Sequence, residues 1–212
     1  MALARLKTDA AAAALFEQLN TASVPLVLKV GAIRALGWLG NATALGYLQQ
    51  TLKGLRDSCI DTFTKELADL PPLTSSPKES SGERFHDLEE QTHLCREIVQ
   101  VVGRVQEESL QHQATEILLD FLTTAPMELT PQPTKQQIAL GLGHLGCSQA
   151  LSPLVQMLGD PHPGVRLHCV AALKQFAAPQ QIYGYLQDYI SQDFVDTKLQ
   201  QGILVALDEL SI

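Results

Sequence analysis

The run Asp160-Pro161-His162-Pro163-Gly164-Val165-Arg166, followed by Val170-Ala171-Ala172-Leu173-Lys174-Gln175-Phe176, decides how this chain folds. The two prolines fix φ and bar helix continuation, and Asp160 favours local backbone hydrogen bonds, so the first stretch is a turn. Before it, Leu151, Leu154, Val155 and Leu158 within Gln149–Leu158 recur at helical spacing. After it, Val170, Leu173 and Phe176 do the same. The segment therefore reads as helix, tight turn, helix.

Working outward, the second helix of this hairpin has four counterparts: Ile33–Leu39, Val99–Val105, Ala139–Leu145 and Leu204–Leu210. Aligned on Leu36, Val102, Leu142, Leu173 and Leu207, the centres lie 66, 40, 31 and 34 residues apart. Periods of this size signal stacked helical hairpins, with an insertion in the first interval. Asp9–Leu19, Thr43–Leu52, Leu110–Leu122 and Gln180–Tyr189 supply the other first helices, beside Gln149–Leu158. Asp9, Ser148 and Ser109 are the expected helix-start caps. Gly40, Gly146 and Pro179 are the expected stops. Seven residues before the centre, three repeats carry a cation, Lys29, Lys135 and Arg166. Leu28, Thr134 and Val165 precede these and are expected to face the core. Cys95 and Gln200 hold the cation position in the other two repeats.

The Asp-Pro-x-Pro-x-Val-Arg turn followed by Ala-Ala-Leu resembles HEAT repeats of the short type found in phycobilisome (bilin) lyases. Ala150–Phe176 carries the strongest likeness, followed by Ser23–Leu52 and Thr134–Leu158. The resemblance implies an all-α fold, a right-handed α-α superhelix (a HEAT-like solenoid) of about five helical pairs, in one repeat domain over 1–212. It also implies that Asp160 and Arg166 are structural residues linking successive turns, and that the second helices line a concave surface. As an alternative function it implies a bilin lyase or phycobilisome-related chaperone subunit binding an open-chain tetrapyrrole. Such repeats serve many unrelated tasks, so function has to be argued from side chains.

Composition agrees with helix. The chain is 45% hydrophobic, rich in Leu and Ala, and 5% aromatic. A net charge of −8, with fifteen scattered Lys and Arg, argues against nucleic acid, whose phosphates need a basic face. No apolar run reaches the ~20 residues of a membrane span. Cys59, Cys95, Cys147 and Cys169 form no CxxC pair, and the expectation is buried, reduced thiols in a cytoplasmic protein. Within the first interval, Leu55–Leu70 reads as helix and the Pro/Ser-rich segment at about 71–84 as a flexible insertion. The apolar helix Ile203–Ile212 is a second expected docking or self-association surface.

No catalytic, cofactor or metal site is expected. P-loop, GxSxG and HExxH patterns are absent. Gly141-Leu142-Gly143 with Gly146 satisfies G-x-G-x-x-G but lies within a helical pattern, where close helix packing is the expected role. His162, His168, Cys169, Cys147 and His144 are dense, yet His168 and Cys169 point about 100° apart on a helix. The carboxylate pairs Glu89-Glu90 and Glu107-Glu108 are expected near helix starts, where the helix dipole favours them.

The candidate functional residues form a stripe on the second helices. Two residues after each centre stand Trp38, Arg104, His144, Gln175 and Glu209, and two before it Arg34, Gln100, Leu140, Ala171 and Val205. Residues four apart share a helix face, so Arg34 pairs with Trp38, Gln100 with Arg104 and Leu140 with His144. The candidate contacts to another protein are Arg34, Trp38, Gln100, Arg104, His144 and Gln175. For Trp38, the only tryptophan, covering the next repeat's core is the competing role. The expected function is a non-enzymatic scaffold or adaptor, its partner another protein rather than nucleic acid or membrane.

Overall fold

The computed structural model describes residues 8–68, 81–124, 130–176, 179–191 and 196–210, and all regular structure among them is helical. In chain order the helices are α1 (Asp9–Asn20), α2 (Leu26–Leu39), α3 (Ala42–Ala68), α4 (Ser81–Val102), α5 (Glu108–Thr124) and α6 (Gln132–Leu145). A single 3-10 turn (Ser148–Ala150) then leads into α7 (Leu151–Met157), followed by α8 (Pro163–Leu173), α9 (Pro179–Ile190) and α10 (Thr197–Leu210). Odd and even helices alternate as five hairpins, an all-α helical-repeat solenoid.

Local chemistry explains the boundaries. Thr8, rather than Asp9, caps α1: its Oγ1 accepts from the Ala11 N–H at 3.2 Å. Asp9 is the first helical residue and accepts from Asn41 Nδ2 at 3.2 Å instead. Ser109 is no cap either, since its hydroxyl donates to Glu107 Oε1 at 3.0 Å. Ser148 opens the 3-10 turn, which has no side-chain cap. Gly40 and Gly146 end α2 and α6 with φ of 58° and 65°, a left-handed conformation that glycine adopts without steric cost. Pro179 stops nothing: α8 has ended at Leu173, and Pro179 opens α9, where a missing N–H is harmless. Helix α3 runs through residue 68 and so contains the expected helix from Leu55 onward, whose residues 69–70 lie outside the described residues. Of the expected insertion, residues 71–80 lie outside the described residues, and 81–84 belong to α4.

The chain divides into two compact units, Met1–Ile98 and Val99–Ile212, with the boundary inside α4. In the first, α1 packs on α2 and α3, and Phe16 stacks on Tyr47 with ring centroids 4.3 Å apart. In the second, α6 packs broadly on α8, α7 packs on α8, and α10 reaches α7 and α8. The repeat centres Leu36, Val102, Leu142 and Leu173 are fully buried, whereas Leu207 is half-buried. Truncating one such buried leucine to alanine typically costs about 2–5 kcal/mol.

Glycines set the closest helix approaches of the second unit. A Cβ on Gly141 would sit 2.9 Å from Gly103 Cα, and one on Gly143 would sit 2.7 Å from Ala172 Cα. The G-x-G-x-x-G run is thus a packing device within and just beyond α6. Among the described residues no helix is long and apolar enough to cross a membrane.

Candidate functional site

The cation position marks how successive hairpins are tied. Lys135 Nζ lies 2.8 Å from Asp160 Oδ2, with both side chains buried. Asp160 Oδ1 accepts from the His162 N–H at 2.8 Å, and Arg166 Nη1 donates to the backbone oxygens of Asp160 (2.7 Å) and Pro161 (3.1 Å). One carboxylate therefore neutralises the preceding repeat's cation and closes its own turn. The equivalent Lys29 pairs with Glu90 of α4 at 3.0 Å. Glu90 sits well inside α4 rather than near its start, so a cross-hairpin ion pair and not the helix dipole accounts for it. Glu108, in contrast, does open α5.

In the first unit, Val27, Gly31, Arg34 and Trp38 follow one another at i, i+4, i+7 and i+11 along α2, all on one exposed face. Val27 is 80% and Trp38 70% exposed, which rules out Trp38 as a cover for the next repeat's core. Leu28, expected to face the core, is 51% exposed, while Thr134 and Val165 are buried as expected. Helix α2 is apolar nearly all round, so its pattern could not say which side turns outward. The Arg34 guanidinium grips buried Glu97 of α4 through Nε (3.0 Å) and Nη2 (2.9 Å) while more than half of it stays in solvent. The grip compensates the Glu97 carboxylate and holds the guanidinium next to Trp38.

In the second unit, Arg104, His144 and Gln175 are exposed and Gln100 is half-buried. The expected helical pairing of Gln100 with Arg104 does not hold, because α4 ends at Val102 and Arg104 lies in the following turn, its N–H donating to Val101 O at 3.2 Å. Gln175 likewise lies past the end of α8, in a turn closed onto Ala172 O at 2.9 Å. His144 occupies the last turn of α6. Glu209 accepts from Lys174 Nζ at 3.1 Å, linking α8 and α10. Sequence reasoning missed Leu167 on α8, which is more than half exposed, as are Leu204 and Val205 of the expected docking helix at the C-terminal end, Val205 also belonging to the stripe.

The thiols and imidazoles do not converge. Cys169 is fully buried, His168 Nδ1 lies 2.6 Å from Gly164 O, and His162 is exposed in the turn. Among the described residues no three His, Cys, Asp or Glu side chains are grouped to hold a metal. Burial pushes the Cys95 thiol up to about 12, with Cys59 nearby adding to it, and pushes Cys169 to about 12, with Asp160 adding to it. Such thiols stay protonated and make poor nucleophiles. Cys59 and Cys147 are half-buried rather than buried. The Cys59 thiol, raised by burial, donates to Gln91 Oε1 at 3.2 Å.

Helical hairpins in series, ion pairs that tie the first to the second and the third to the fourth, and glycine-mediated helix contacts define a helical-repeat protein. Residues 119–196 match the family of HEAT repeats, a span from the C-terminal part of α5 to the threshold of α10. No curated protein matches the chain.

Proposed function

We propose that the chain is a non-catalytic scaffold that binds another protein through the exposed faces of its even-numbered helices and the turns that follow α4 and α8. One observation carries the reading: Trp38 stands 70% exposed on the same face of α2 as Val27 and Arg34. A tryptophan in water is an unused apolar surface, and Trp and Arg are the residues most enriched among interface anchors. Covering this indole would contribute on the order of 3–4 kcal/mol at about 25 cal/mol per Å². Arg34, already held by Glu97, loses little side-chain freedom when a partner covers it. Arg104, His144 and Gln175, with half-buried Gln100, are the proposed contacts of the second unit. HEAT repeats commonly act as interaction scaffolds, in agreement with this reading. Four free thiols favour a cytoplasmic setting.

The test is affinity capture from native lysate of the source organism, wild type beside a Trp38→Ala/Arg104→Glu variant of unchanged far-UV circular dichroism. A protein retained by the wild type and lost by the variant is the expected result. Equal retention by both refutes the assignment of these faces. If neither retains a protein, the scaffold reading falls.

A further inference from the structure

We propose that the pocket between the α7–α8 turn and α10 is a receptor for a carboxylate side chain, an Asp or Glu flanked by an apolar residue, of a partner protein. The inference rests on the scaffold reading only in taking the partner to be a protein, and it concerns a surface separate from the α2 face.

The pocket has a volume of about 350 Å³ and is lined by Asp160, Pro161, Arg166, Lys198, Gln201 and Val205, among others. Its charge follows from the repeat pattern. Lys29 and Lys135, at the cation position of their repeats, each take a carboxylate from the following hairpin, Glu90 and Asp160. Arg166 holds that position in the fourth repeat, yet among the described residues its guanidinium meets only the backbone oxygens of Asp160 and Pro161, through Nη1. Among the described residues no carboxylate reaches it. The Asp160 carboxylate is already committed to Lys135 and to the His162 N–H. Lys198, in the first turn of α10, is exposed and also has no carboxylate partner among the described residues.

Two cations thus face one concavity in a chain whose net charge is −8. Gln201 adds an amide, and Val205, 59% exposed, adds an apolar wall. The walls are held at fixed spacing by glycine contacts. A Cβ on Gly202 would lie 2.0 Å from Leu158 O, and one on Gly159 would lie 3.2 Å from Leu199 Cβ, so α10 sits directly on the turn. The Nη1 contacts anchor Arg166, so its remaining N–H groups are pre-oriented for a carboxylate, the geometry in which guanidinium binds best. A carboxylate is preferred over other anions because it is what this repeat position accepts twice elsewhere in the chain.

The experiment is fluorescence anisotropy of the full chain with a fluorescein-labelled tetrapeptide of alternating Glu and Leu, beside its Gln/Leu counterpart. The Glu peptide is expected to bind saturably and at least about tenfold tighter than the Gln peptide, and Lys198→Glu to weaken it by about tenfold or more. Arg166→Gln should weaken it similarly, with Lys198→Glu as the safer variant because Lys198 is exposed and makes no side-chain hydrogen bond or ion pair among the described residues. Trp38→Ala should leave the affinity unchanged. Equal binding of the two peptides, full affinity in Lys198→Glu, or a Kd weaker than about 1 mM overturns the proposal. Displacement by inorganic phosphate at lower concentration than by acetate overturns the carboxylate assignment. Loss of peptide binding in Trp38→Ala would move the peptide to the α2 face, sinking this pocket while sparing the scaffold reading. Absent peptide binding with Trp38-dependent capture has the same meaning.

Discussion

Replacing Asp160 by asparagine probes the connection between the third and fourth hairpins. The Asp160 and Lys135 side chains retain 2% and 6% of their exposure, and their charged atoms are 2.8 Å apart. Asp160→Asn keeps the shape and the oxygen that accepts from the His162 N–H, but it strands the Lys135 ammonium without its counter-charge. Removing one partner of a buried pair typically costs 3–5 kcal/mol, and the conserved shape places this variant near the lower end, about 3 kcal/mol. For a unit of roughly 110 residues, that is a fall in Tm of about 12 °C. With m near 2 kcal/mol/M, the urea midpoint should shift by about 1.5 M. Far-UV circular dichroism against temperature and urea is the assay. Lys135→Met should cost a similar amount by stranding the carboxylate. The double variant should cost clearly less than the sum, because neither charge is then left alone. A loss below about 1 kcal/mol for Asp160→Asn, or additive single costs, would refute the view that this buried pair joins the hairpins.

Three further outcomes follow from packing, exposure and burial. Trp38 emission should match that of a tryptophan amide in water and be fully open to acrylamide, since the indole is 70% exposed; a blue-shifted, protected emission contradicts the α2 face. Gly143→Val should destabilise by about 1–3 kcal/mol because its side chain meets Ala172. Gly31→Ala, with open space at its Cβ, should instead stabilise by about 0.5–1 kcal/mol, and urea midpoints moving the same way for both would refute the helix register. Cys95 and Cys169, raised to about 12, should resist iodoacetamide in the native state and react on unfolding. Their unfolded thiols ionise near about 8.5. Stability is therefore intact below that pH and lost progressively as pH climbs toward 12, so a flat alkaline profile contradicts their burial.

Legibility tracked redundancy. The centres Leu36, Val102, Leu142 and Leu173 occupy one role in successive hairpins, so each supported the reading of the others, and all four are fully buried. Gly40 and Gly146 were equally readable, because a left-handed residue closing a helix points to glycine. Leu28 was misread for the opposite reason. Its alignment with Thr134 and Val165 placed it in the core, but α2 presents apolar residues on every side, and only neighbouring helices determine which side is covered. Helix ends slipped by small amounts, as at Thr8 and at Arg104 and Gln175, because caps and terminal turns depend on one or two hydrogen bonds rather than on a period.

The cations show where such reading must stop. Alignment alone found Lys29, Lys135 and Arg166 in one column, but the partners lie 61 residues away for Lys29 and 25 for Lys135, and no local pattern names them. Once the partners are known, Lys29 and Lys135 share a rule, cation to the next hairpin's carboxylate, and among the described residues Arg166 departs from it. The same logic applies to Trp38, whose exposure departs from the burial an aromatic residue ordinarily attains. Interior positions repeat because every hairpin must bury the same stripe, so their agreement carries information about the fold and little about the task. The positions that break the repeat, an arginine that meets no carboxylate among the described residues and an indole without a cover, are not required by the stacking of hairpins. Contact with another molecule is the physical account that would complete both.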